Sequence, residues 1–412
     1  MDAPVVWIDA TRPASARQLW GMHLVERQVR EMALRGCRSF RLVVTEQTRA
    51  AVVEMRADLH RLYEVEVEAL EVADEAAVFA RLARAEEALI LLAGDAVYDD
   101  RVLSHVLAGG RGGAVVDGQR AALFLAVEEC AQLADGVENW SELLAWAAAR
   151  LSVCTAADLD PYVASLRLHM PAYIFLLQAD AELRAVDHLM YRRTFKGAID
   201  GVARYGYYHL VRWITRHLAR GRSTPNVYTV LSVLCVWGAS PLIASGWVGA
   251  GLATAWWGVI LDSVDGKLAR LRLHLSDAMG TFEHVAAMPG LGLWFLATGW
   301  HLSSGQLFVA EPIALSTWLM LALFLADKAC SGLFKKWVGR ELFDYRPIDA
   351  RFHLVAARRN IALLLLTMGA LTDALLPCWY GLVGWMALTL VFHLVRLAWV
   401  LLSLRSGAVA DS

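Results

Sequence analysis

The residues with the clearest chemistry are Asp262-Ser-Val-Asp265-Gly266-Lys267-Leu-Ala269-Arg270, at the end of an apolar run that begins at Trp247. Two aspartates three apart project from one face of a helix, with Gly266 and Ala269 beside them, so their carboxylates supply half of a cage for a divalent cation. Charged side chains closing a membrane-length apolar run are costly unless they are paired or bound to an ion, and they mark a functional site by default. A single acid there would read as a solvated helix end. Two acids followed in order by Gly, Ala and Arg do not.

The pattern DxxDGxxAR resembles the first half of the signature of the CDP-alcohol phosphatidyltransferase family, matching at all five positions. The resemblance implies an integral membrane enzyme whose acids hold Mg²⁺ or Mn²⁺. The ions bind the diphosphate of a CDP-linked donor, and an acceptor hydroxyl displaces CMP. It assigns Asp262 and Asp265 to the metal, and Gly266, Lys267, Ala269 and Arg270 to the donor. In the family the signature continues with Gly and two further Asp, and here it departs. Counted without a gap, Met279, Glu283 and Ala287 fall on those positions; with one inserted residue they are Gly280, His284 and Met288. Glu283 remains a hard oxygen donor for a metal. Neither Ala287 nor Met288 can take a proton, which leaves His284 as the nearby candidate base, with an intrinsic pKa suited to the task. A histidine satisfied inside a helix bundle is the plain alternative.

These residues need a membrane frame, and the composition supplies one. Of 412 residues 57% are hydrophobic, and they concentrate in the second half while charges crowd the first. This predicts an α/β domain over residues 1–185, a basic amphipathic juxtamembrane helix over 186–225, and an all-α membrane domain over 226–405. Six segments approach spanning length, near residues 227–246, 247–265, 278–301, 307–325, 361–376 and 380–402. Basic residues follow the second and fourth of them and are missing from the other connections, so the positive-inside rule puts both termini and the aspartates in the cytoplasm. The first 17 residues do not form a signal peptide, and the six scattered cysteines suggest neither a zinc site nor a disulfide framework. A net charge of −2 gives no reason to expect nucleic acid as a partner.

Between Leu183 and Arg222, Arg192, Arg193, Lys196, Arg204, Arg212 and Arg216 alternate with Tyr205, Tyr207, Tyr208 and Trp213, the composition of a helix in a lipid headgroup layer. Thr224-Pro225-Asn226 then resembles the entry to the first membrane helix of the same family, adding Thr224 to the donor site. Pro241 and the glycines of the first two spans predict close helix packing. His393 and Arg396 are buried-polar candidates in the last span, and Arg358 and Arg359 begin a helix beside the site.

In the first domain, Val5–Asp9, Phe40–Val44 and Ala88–Ala93 read as strands alternating with helices, which predicts a mainly parallel sheet. The order resembles a nucleotidyltransferase domain, in which Asp95 after the central strand would hold a metal. The glycine-rich phosphate loop is replaced by Asp9-Ala-Thr-Arg12-Pro13, so the domain reads as a degenerate, inactive scaffold. The tract Ala108–Gly113 lacks a GK[ST] ending and reads as a surface turn. The fusion order resembles enzymes that join an inositol-phosphate cytidylyltransferase to a di-inositol phosphate synthase. Three functions remain in view. The first is a phosphotransferase using a CDP-linked donor, a hydroxyl acceptor and membrane lipid, with the resemblance implying a homodimer. The second is a pseudoenzyme that binds cytidine nucleotide or lipid and acts as a partner protein. The third is a transporter, disfavoured because the ionisable residues gather at one membrane face.

Overall fold

The computed structural model describes residues 4–50, 59–60, 63–109, 113–117, 119–133, 136–163, 168–177, 179–195, 197–221, 223–274 and 276–405. The chain divides into two compact units, the first formed chiefly by residues 1–194 and the second chiefly by the rest.

The first unit is built on seven strands: β1 (Val5–Ala10), β2 (Ser39–Val44), β3 (Glu66–Glu71), β4 (Leu89–Ala93), β5 (Gly113–Asp117), β6 (Arg120–Leu125) and β7 (Ser152–Thr155), in the order β7-β5-β6-β4-β1-β2-β3. Strands β4, β1, β2 and β3 run parallel, and only β6 runs against its neighbours, so the sheet is mixed but mainly parallel, as the alternation predicts. Helices α1 (Leu24–Ala33), α2 (Glu75–Leu82), α3 (Asp100–Gly109) and α4 (Trp140–Arg150) belong to the same unit. Every residue of β4, Leu-Ile-Leu-Leu-Ala, is buried, as expected of a strand covered on both faces. Residues 110–112 of the glycine-rich tract lie outside the described residues.

Helix α5 (Asp180–Arg192) runs through position 185, so the first unit extends to Thr194. Its C-terminal Arg193 is anchored on Asp99, which is fully buried and also takes two hydrogen bonds from the Arg101 guanidinium. Burial pushes the Asp99 carboxyl up, but the hydrogen bonds from Arg101 and Arg193 outweigh it and hold the group below the usual carboxylate range.

The second unit is helical. The basic juxtamembrane stretch is not one helix: after α5 comes a π-helical turn at Val202–Gly206, then α6 (Tyr208–Ala219). The break has a local cause. Gly197 has φ +57°, and the neighbouring Ala198 N–H donates to Asp344 at 2.7 Å, a contact a continuous helix would not offer. Lys196 and Arg222 lie outside the described residues.

Among the described residues six helices of 13 residues or more follow, α7 (Pro225–Ala244), α8 (Val248–Leu271), α9 (Asp277–Leu302), α10 (Pro312–Val338), α11 (Arg359–Leu371) and α12 (Leu375–Arg405), with a short helix at Pro347–His353 between α10 and α11. Among the described residues three of them, α7, α10 and α12, are long and apolar enough to cross a membrane, and α11 is a shorter apolar helix. Helices α8 and α9 fall outside that set, although both have the length. Asp262, Asp265 and Lys267 reduce the hydropathy of α8, which runs six residues beyond the predicted end because Gly266 does not interrupt it. Helix α11 ends at Leu371, before the predicted 376.

The core of this unit is aromatic. Trp294 and Trp379 are buried, and their indole N–H groups donate to the Val236 carbonyl at 2.7 Å and to Ser316 at 2.9 Å. Of the glycines in the first two of these helices, Gly251 and Gly258 make the expected close approaches, a Cβ on Gly258 lying 2.9 Å from Val236 Cγ2, whereas Gly238 and Gly249 meet nothing within 4 Å; in α9 a Cβ on Gly299 would lie 2.1 Å from Thr317 Oγ1.

Candidate metal and nucleotide site

Asp262 and Asp265 share a face of α8 one turn apart. Asp265 is buried, and Asp262 accepts a charge-assisted hydrogen bond from Arg359 Nη2 at 2.5 Å. Lys267, also buried, turns back along the helix: its amine donates to the Ser263 carbonyl at 3.3 Å and stands 4.4 Å from the centre of the Phe195 ring. Arg270 lies in the last turn of the same helix. Thr224 is the N-cap of α7 with Pro225 in the first turn, the arrangement that suits a residue lacking an N–H, and its side chain makes no capping bond.

Arg359 is delivered to Asp262 by the start of α11. The next residue, Asn360, is buried, and its amide donates to Asp200 Oδ2 at 2.7 Å and to the Tyr207 hydroxyl at 2.8 Å. Asp200 also accepts from the Ala203 N–H at 2.9 Å, and the Gly201 N–H donates to the Leu354 carbonyl at 2.8 Å. The juxtamembrane turn is thus stitched to the segment that begins α11. Sequence reasoning missed Asp200, Tyr207 and Asn360 as members of this environment. The only local signal for them was the Asp200-Gly201 pair before an aromatic cluster.

The remaining predicted residues, Glu283 and His284, belong to α9, but their side chains lie outside the described residues. Among the described residues no group of three or more His, Cys, Asp or Glu side chains gathers in the way a complete metal site requires. What is described is a pair of hard carboxylate donors with a cation already seated on one of them. That donor set fits a divalent ion such as Mg²⁺ or Mn²⁺.

A second set of ionisable side chains lies in the same unit. His393 Nδ1 meets Asp327 Oδ1 at 2.6 Å between α12 and α10, and Arg396 makes a two-pronged contact to Asp349 at 2.6 and 2.8 Å. Both buried-polar candidates of the last helix are therefore paired helix to helix. Near them His353 lies 3.2 Å from Arg358; burial, and then the Arg358 charge, pull its pKa down to about 3, so the ring is neutral at physiological pH.

The first unit has its own crevice, where the strand order reverses between β1 and β4. Ligands of open α/β sheets bind at such a point. Here it is filled from within. Asp95, predicted to hold a metal, is buried and gripped by the equally buried Arg120, with Nε–Oδ1 at 3.1 Å and Nη2–Oδ2 at 2.9 Å. Arg12 lies 3.6 Å from the same carboxylate and binds Glu75 through two 3.0 Å contacts. Asp9 takes hydrogen bonds from the Thr11 N–H and hydroxyl and from the Trp140 indole at 2.7 Å, while burial pushes its carboxyl above the usual range. Arg120 stands 5.5 Å from the Trp140 ring centre. The residues at Asp95 therefore do not fit a metal ion, because a guanidinium already occupies both carboxylate oxygens.

No family model matches this chain, and no curated protein does. Among solved structures, the chain is similar to the phosphatidylinositol phosphate synthase of Mycobacterium tuberculosis with CDP-DAG bound, at 21% identity over 46% of this chain and 94% of that one, with a TM-score of 0.37. The same synthase in complex with manganese and citrate gives 22% identity, 45% and 88% coverage and a TM-score of 0.36. The inositol-1-phosphate CTP transferase of T. maritima gives 15% identity, 47% and 97% coverage and a TM-score of 0.35. At these identities and scores the likenesses assign no function to this chain.

Proposed function

We propose that this chain is a membrane phosphotransferase that moves a phospho-alcohol group from a CDP-activated donor to an acceptor hydroxyl and releases CMP. The observation that carries the reading is the face of α8 on which Asp262 and Asp265 stand beside Gly266 and Ala269, with the Arg359 guanidinium seated on the first acid. In this reading Asp262, Asp265 and Glu283 hold Mg²⁺ or Mn²⁺, which when bound offsets the negative charge of the donor diphosphate. Gly266 and Ala269 leave room for the nucleotide against the helix, Thr224 borders it, and Lys267 and Arg270 add positive charge. The acceptor oxygen bonds to the β-phosphorus as the bond from that phosphorus to the bridging oxygen breaks. CMP leaves with the bridging oxygen, and His284 takes the hydroxyl proton. Arg358 and Lys328, which lie within electrostatic reach of one another, suit an acceptor that itself carries an anionic group.

The membrane assignment is supported by outward apolar faces on the long helices, such as Leu234, Leu388 and Leu402, which are 63%, 59% and 65% exposed. We place all six helices α7–α12 across the bilayer, with both termini in the cytoplasm. Helix α6 then lies in the headgroup layer, where Trp213 and Leu210 are exposed on a helix that also carries Arg212 and Arg216.

A second reading has its own observation. In either register of the signature the family's last acid is replaced, by Ala287 or by Met288, so a protein that binds cytidine nucleotide without turning it over fits the same site. The two readings separate in one assay. Purified full-length chain is incubated with Mn²⁺ and a panel of CDP-linked lipid and polyol donors plus hydroxyl acceptors, and CMP is measured. Release that is lost in Asp262→Asn supports the transferase; nucleotide binding with no CMP from any donor supports the pseudoenzyme.

A further inference from the structure

Arg359 sits where a metal ligand should be kept open. Its guanidinium occupies Oδ2 of Asp262 at 2.5 Å, from a helix whose first residues are fixed by Asn360 on Asp200 and Tyr207. The two partners are 97 residues apart in the chain and only partly shielded, with side-chain exposures of 26% and 14%. A carboxylate oxygen that accepts a charge-assisted hydrogen bond has one lone pair engaged, and a dication arriving at the same carboxylate is repelled by the guanidinium at close range. The helix start that carries Arg359 is held by Asn360 rather than by the guanidinium, and the planar fork of that guanidinium matches phosphate oxygens as well as carboxylate.

We propose that Arg359 is a tethered cation that competes with the divalent ion for Asp262 and moves to the donor diphosphate when ion and nucleotide dock together. This rests on the metal-site reading above. Arg359 is then a positioning residue that couples the two ligands. With no nucleotide, the guanidinium keeps metal affinity low. With a diphosphate present the guanidinium gains a new partner, Asp262 is released to the ion, and each ligand tightens the other, as reciprocal linkage requires.

The test is Mn²⁺ binding to the purified full-length chain, read from the six-line EPR signal of the unbound ion, with CDP as the diphosphate probe. Wild type, Arg359→Gln, Arg359→Lys and Asp262→Asn are compared. Without CDP, Arg359→Gln is expected to bind Mn²⁺ roughly tenfold more tightly than wild type, with Arg359→Lys in between because it keeps the charge on a shorter, non-forked side chain. CDP should tighten Mn²⁺ binding by a clearly larger factor in wild type than in Arg359→Gln. Unchanged or weaker binding in a monodisperse Arg359→Gln overturns the proposal, as does an equal effect of CDP on both proteins. If neither wild type nor Arg359→Gln binds Mn²⁺, or if binding survives Asp262→Asn, the metal-site reading itself fails and the proposal falls with it.

Discussion

The ion pair in the first domain offers a sharp test of how that crevice is used. Asp95 and Arg120 side chains are 3% and 5% exposed and joined by two charge-assisted hydrogen bonds. Replacing Arg120 with Met keeps most of the stem and deletes the charge, leaving Asp95 in a buried setting with Arg12, at 3.6 Å and one-third exposed, as the nearest recorded cation. Breaking one side of such a pair costs about 3–5 kcal/mol, and the remaining Arg12 favours the lower end of that range. For a domain of this size about 3 kcal/mol corresponds to a fall of roughly 6–12 °C in Tm. The assay is thermal unfolding of the full chain followed by tryptophan fluorescence, since Trp140 lies under the Arg120 guanidinium. Adding Asp95→Asn to Arg120→Met should recover a good part of the loss, because it removes the uncompensated charge. A single variant that melts with wild type would refute the reasoning. So would recovery of Tm by Mn²⁺, which would show that Asp95 is a metal ligand after all.

Further outcomes follow from other contacts. Asp99 is held below the usual carboxylate range, so its pairing with Arg101 and Arg193 stabilises the fold above the unfolded pKa of about 4 and is lost as the pH falls through the depressed folded value; Asp99→Asn should flatten the acid limb of a Tm-versus-pH curve. Asn360→Ala removes the donors to Asp200 and Tyr207 and should cost about 1–3 kcal/mol in denaturant unfolding, with increased protease cutting near Gly201. Gly258→Leu would drive a side chain into Val236 on α7 and should lower Tm by an amount corresponding to about 1–3 kcal/mol, whereas Gly238→Ala, whose Cβ would meet nothing within 4 Å, should be neutral or mildly stabilising.

Much of this was legible in the sequence because it is local. The Asp262–Asp265 spacing, Pro225 opening the helix after Thr224, and the alternation of strands and helices around β1, β2 and β4 depend only on neighbours in the chain. What was not legible depends on which helices meet. The sequence places Arg359 at the start of a helix beside the site but not on Asp262, and nothing near Asp200 points to Asn360, 160 residues away. Asp95 shows the same limit from the other side. Its position after a buried strand resembles a metal ligand, but whether it can act as one is decided by Arg120 on the adjacent antiparallel strand, a pairing that composition and periodicity do not encode. The juxtamembrane stretch looked like one amphipathic helix because its charge and aromatic pattern is continuous. The backbone breaks where Gly197 takes a left-handed conformation and Asp344 claims the Ala198 N–H.

The most direct measurement is equilibrium binding of radiolabelled CDP to the purified full-length chain, with and without Mn²⁺, for wild type and Asp265→Asn. Binding that requires Mn²⁺ in wild type and is lost in Asp265→Asn is the predicted result. CDP binding that is indifferent to Mn²⁺, or that persists unchanged in a folded Asp265→Asn, would contradict a cation-dependent nucleotide site on α8.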